Sequence, residues 1–92
     1  MKTVKKVPIE IRHVNNIPYS LEEGIFYFSE EHQVGVHSCL CGCKQEVVTP
    51  IKEGEWRLLM WEDTRFSITP SILNRFGCKS HYIITGGVAN FV

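Results

Sequence analysis

No stretch of this 92-residue chain is long and apolar enough to cross a bilayer as a helix. No run of lysine or arginine exceeds two residues, and ten basic side chains balance ten acidic ones. That balance argues against nucleic acid or a membrane surface as a partner held by bulk charge. The first residues, Met1-Lys2-Thr3-Val4-Lys5-Lys6, are basic. Pro8, Glu10, Arg12 and His13 break up any apolar core behind them, so no secretion signal is expected. The cytoplasm, where thiols stay reduced, is the expected compartment. Internal repeats, low-complexity tracts and amphipathic helical stretches of useful length are missing too.

What remains is short, apolar and turn-rich. The pattern predicts an all-β single domain over 1–92, built of short antiparallel strands and hairpins with irregular loops. A first strand is expected over 2–14, broken or bent near Pro8 and therefore at an edge. Further strands are expected over 25–29, 34–39, 46–49, 56–61 and 65–69, with a final hairpin of 82–84 and 88–91 around Gly86-Gly87. Ser20 to Gly24 has the form of one capped helical turn, and Pro70 to Arg75 reads as a helical turn or plain loop. A Gly-Gly pair also ends ubiquitin-like modifiers, but its place between two strand-like runs favours the hairpin.

Cysteine is scarce and unevenly placed. Three of the four cysteines stand at 39, 41 and 43, and the fourth, Cys78, returns much later ahead of Ser80-His81. In a reduced compartment this pattern points to two loops closing on one metal ion rather than to disulfides. A chain this short gains noticeably from such a staple. Zinc takes four ligands, and His37, Cys39, Cys41, Cys43, Cys78 and His81 are the candidates. Fully extended, His37 and Cys43 would lie roughly 20 Å apart. The chain must therefore fold back, and Gly42 is the residue able to take the backbone angles. His37 is the easiest ligand to leave on the incoming strand. The expected set is Cys39, Cys41, Cys43 and Cys78 on a structural Zn2+, with His81 as an alternative fourth ligand. A Rieske-type iron–sulfur centre would want Cys-x-His in the first loop, where this chain has Cys39-x-Cys41.

With four thiolates on the ion, His37 and His81 are left for other work, and Ser80 and Ser71 are the nearby hydroxyls by sequence. Serine and histidine within hydrogen-bond reach form the minimal nucleophile and base of acyl transfer. Asp63, Glu46 or another hydroxyl would orient the imidazole. The plainer roles are a turn hydroxyl for Ser71, a thiolate hydrogen bond for Ser80, and a partner behind the metal ligands for His37.

The ordered run His37-x-Cys39-x-Cys41-Gly42-Cys43, Val47-Val48-Thr49-Pro50, Trp56-Arg57-Leu58, Pro70-Ser71-Ile72 and Cys78-x-Ser80-His81-Tyr82 resembles a small bacterial and phage family of formerly unknown function. The resemblance runs from about Gly24 to the end of the chain. Members accompany bacterial ubiquitin-like conjugation operons. The resemblance implies a zinc-binding, serine-type peptidase that processes or removes the ubiquitin-like protein. It would make the cysteines the zinc site, Ser80 or Ser71 the nucleophile and His81 or His37 the base. Lys44 departs from the Gly or other small residue that many relatives carry after the third cysteine. The reading is a zinc-stabilised peptidase with a ubiquitin-like protein or other protein partner. The alternatives are a zinc-stapled adaptor that binds a protein without cutting it, and a catalytic-zinc hydrolase, which three or four thiolates disfavour.

Overall fold

The computed structural model describes residues 6–40, 45–61, 65–73 and 81–91. They form nine strands: β1 (Lys6–Pro8), β2 (Glu10–His13), β3 (Ile25–Ser29), β4 (Val34–Ser38), β5 (Glu46–Pro50), β6 (Arg57–Trp61), β7 (Arg65–Leu73), β8 (His81–Thr85) and β9 (Val88–Phe91). Five strands make one sheet in the order β1-β9-β8-β7-β6, and four make the other in the order β2-β3-β4-β5. The all-β expectation holds, and the described residues contain no helix.

The first predicted strand proves to be two strands in different sheets. Pro8 has no N–H to give a ladder, and the chain changes sheets there. Ile9 donates its N–H to Gly87 O at 2.9 Å, and Glu10 donates to Gly24 O at 2.9 Å. Both halves sit at sheet edges. β2 then pairs parallel to β3, the one departure from antiparallel pairing among the described strands. A parallel pair needs a long connection, and the loop from Val14 to Gly24 supplies it. That loop is not the capped helical turn expected over Ser20–Gly24. It folds onto the outer face of its sheet, where Glu22 N–H donates to Tyr27 Oη at 3.1 Å and Ser29 Oγ donates to Asn15 O at 2.9 Å.

The two sheets pack face to face over Phe26, Phe66, Ile68, Ile72, Tyr82 and Ile84, all buried. Phe26 stacks on Phe66 with ring centroids 5.2 Å apart. It also lies against Gly35 of β4, where a Cβ would clash with the Cζ edge of its ring. Gly35 is therefore fixed by close approach, and Phe26 is fully buried, so a shift of its ring disturbs the core around it. Gly35→Ala is expected to cost about 1–3 kcal/mol through overpacking. The check is the urea midpoint, which falls with an unchanged slope.

The largest revision lies in β7. Residues Pro70 to Leu73, expected as a loop or helical turn, continue the strand. The register steps from Ile68↔Ile84 to Ile72↔Tyr82, so β7 carries two more residues than β8 between these pairs. This bulge holds Pro70, whose missing N–H a bulge tolerates, behind a cis Thr69–Pro70 peptide. Burying Ile72 beside Tyr82 offsets the irregularity. Gly86 and Gly87, at φ 58° and 79°, make the predicted two-residue turn between β8 and β9.

Candidate active site

Side chains alternate along a strand, so the buried members of β7 and β8 determine where the others point. Ile72 and Tyr82 face the core. Ser71 and His81, each one residue away, therefore face the outer side of the five-stranded sheet. They sit diagonally across the ladder, since Leu73 is the residue opposite His81. Diagonal neighbours are within reach of side chains that lean toward each other. His81 Nε2 lies 2.7 Å from Ser71 Oγ, and both residues are half-buried. Trp56, just before β6, donates its indole N–H to the Ser71 carbonyl at 3.4 Å.

The second histidine lies in a different place. His37 is fully buried on the inner face of β4, with its Nε2 2.6 Å from the Tyr82 hydroxyl. Its Nδ1 is buried with no hydrogen-bond partner. Burial pushes its pKa down from 6.5 to about 4, so the ring is neutral near pH 7. The contact ties β4 of one sheet to β8 of the other. His37 and Tyr82 are thus joined to each other inside the sandwich, while Ser71 and His81 are joined on its surface.

Cys39 is buried immediately after β4, and its N–H donates to Gln45 O at 2.8 Å. That bond extends the β4–β5 ladder by one rung, since Ser38 pairs with Glu46. Cys41, Cys43, Cys78 and Ser80 lie outside the described residues, as does Asp63. Among the described residues no three metal-ligating side chains gather. Glu46, considered as an orienting carboxylate, points away. Val47 faces the core, so Glu46 lies on the outer face of its sheet, where it lines a cleft of about 490 Å³ with Tyr19, Leu21, Glu23 and Ser38.

Two features of the site were not anticipated from the sequence. One is the His37–Tyr82 bond, and the general signal for it was available, because a buried tyrosine hydroxyl needs a partner. The other is the Trp56 indole on the Ser71 carbonyl, which depends on where β6 leaves the sheet and has no local signature.

Sheet and side chains together define a small β-sandwich whose outer face presents a serine and a histidine in hydrogen-bond contact, the donor set of serine-type acyl transfer. Residues 13–92 match the family described as bacterial ubiquitination-like system serine protease, BubE. The chain belongs to that family. Comparison with curated proteins and with solved structures gives no significant match. Among the described residues no helix is long and apolar enough to cross a membrane.

Proposed function

We propose that the chain is a cytoplasmic serine-type peptidase that cuts after the C-terminal glycine of a ubiquitin-like protein, with Ser71 as nucleophile and His81 as general base. The observation that carries this is the 2.7 Å contact between Ser71 Oγ and His81 Nε2 on the outer face of the five-stranded sheet. As Ser71 Oγ bonds to the scissile carbonyl carbon, its proton passes to His81 Nε2. The carbonyl π bond opens to an oxyanion. When it re-forms, the C–N bond breaks and the leaving amine takes the proton from His81. Water, deprotonated by the same nitrogen, then releases the acyl group and restores Ser71. This step requires the tautomer with the proton on His81 Nδ1, so that Nε2 is free to accept. His37 is assigned no proton transfer, because it is enclosed in the core against Tyr82.

The same reading assigns Cys39, Cys41, Cys43 and Cys78 to a structural zinc. Two observations support the fit. Cys39 is buried at the loop end of the β4–β5 hairpin, and the His37–Tyr82 bond holds that hairpin against β8, which follows Cys78 in the chain. Zinc held by four thiolates has no open position for water, so it would supply cross-linking rather than Lewis acidity.

A fluorophosphonate probe tests the nucleophile. Wild-type protein is expected to gain one adduct, mapped by peptide mass spectrometry to Ser71, and His81→Ala is expected to lose most of the labelling. An unlabelled wild type would favour the adaptor, and an adduct on Ser80 would transfer the role to that residue.

A further inference from the structure

β7 is paired at different ends on its two sides: with β8 from Ile68 to Leu73, and with β6 from Arg65 to Thr69. β8 pairs with it out to Leu73, whereas β6 pairs only with Arg65–Thr69 and ends at Arg57. Before Arg57 the chain turns toward the other sheet, where Trp56 bridges to Ile51 of the β5 connection. Among the described residues, no strand pairs with Pro70–Leu73 on the β6 side. The open stretch thus has the nucleophile within it.

The Trp56 indole shows which backbone groups point into this gap. It reaches the carbonyl of Ser71 from the β6 side. The N–H and C=O of one strand residue point to the same edge, and alternate residues share that edge. The main-chain groups of Ser71 and Leu73 therefore face the gap, with the Ser71 carbonyl already accepting from Trp56, while those of Ile72 face β8. An edge of this kind is complementary to another extended backbone and to little else.

We propose that the open edge of β7 from Pro70 to Leu73 is the substrate-docking strand, taking an extended peptide tail of the protein partner as an added strand beside Ser71. This rests on the reading of Ser71 and His81 as the catalytic pair. Four residues of edge span roughly 13 Å, enough for about four residues of tail. Main-chain pairing would set the register and leave side-chain choice loose. An added strand lies about 4.8 Å from the backbone of β7, and attack needs about 3–3.5 Å. The tail must therefore rise over the outer face at Ser71, where the bulge already displaces the strand. Trp56 closes the end of the gap from which β6 departs.

Substrates with single N-methyl groups test this directly. A library of heptapeptides carrying C-terminal aminomethylcoumarin identifies the best-cleaved sequence. That sequence is then N-methylated one residue at a time, which removes one main-chain donor per peptide. Strand docking predicts that kcat/KM falls about fivefold or more at alternate residues and much less between them. Losses at consecutive residues, or none at all, would overturn the proposal. So would a library with no cleaved member when p-nitrophenyl acetate is hydrolysed in a Ser71-dependent way. The acetate ester needs no docking strand. Absence of Ser71-dependent ester hydrolysis would instead overturn the catalytic pair, so the two failures are distinguishable.

Discussion

Ser71→Ala is expected to lower kcat/KM for cleavage of a ubiquitin-like protein fusion by at least about 10³-fold while the protein stays folded. The substitution removes the atom that forms the acyl bond, so only binding and any remaining polarisation of the carbonyl survive. His81→Ala is expected to cost about 10²–10⁴-fold through loss of the general base. The double variant should be scarcely worse than the poorer single one, because a nucleophile without its base and a base without its nucleophile are disabled in the same step. Stability should change little. Ser71 is half-buried and its hydroxyl contact is with a half-buried ring, so about 1 kcal/mol bounds the loss. Gel-based cleavage rates and circular dichroism, measured on the same preparations, separate the two effects. Retention of a tenth of the wild-type rate by Ser71→Ala would exclude this pairing and leave Ser80 as the serine to examine.

The choice between Ser71 and Ser80 could not be made from the sequence, for a physical reason. Ser80 and Ser71 were both candidates; Ser80 adjoins His81 in the chain and lies outside the described residues. The contact observed at His81 instead comes from a neighbouring strand, through a diagonal that depends on register. Register in turn depends on the two-residue bulge around Pro70. That bulge is invisible locally, because Pro70-Ser71 has the composition of a turn. Burial of Ile72 and Tyr82 overrides the local preference, as packing commonly does in sheets. Elsewhere local chemistry and packing agree. The aromatic run Ile25–Ser29, the polar turn before Val34 and the Gly86-Gly87 hairpin were all legible. Pro8 was legible as a break, but its consequence, a change of sheet and a parallel β2–β3 pair, needed the hydrogen bonds of Ile9 and Glu10.

With the proposed zinc on Cys39, Cys41, Cys43 and Cys78, its removal is expected to abolish fold and cleavage together. The geometry that motivates this is the position of the His37–Tyr82 bond. Cys39 is two residues beyond His37, and Cys78 is four before Tyr82. Four residues reach at most about 14 Å, so both cysteines start within a short chain length of one anchored point. Structural zinc contributes about 10–16 kcal/mol in small zinc-binding peptides, whereas a whole domain is stable by only about 5–15 kcal/mol. The metal would then be worth as much as everything else that holds this sandwich together. Elemental analysis of the purified protein should find a single zinc per chain. Adding a chelator should collapse the circular dichroism signal and the cleavage rate over the same concentration range, and added zinc should restore both. Cys41→Ser or Cys78→Ser should lose metal and fold alike. His81→Ala should keep both and lose only cleavage, since its ring is engaged with Ser71. A protein that lost cleavage on chelation but kept its dichroism would place the ion at the reacting bond, with one ligand position open, and Ser71 would cease to be the nucleophile. Metal loss in His81→Ala would make that histidine a ligand, and the surface serine would then have no base.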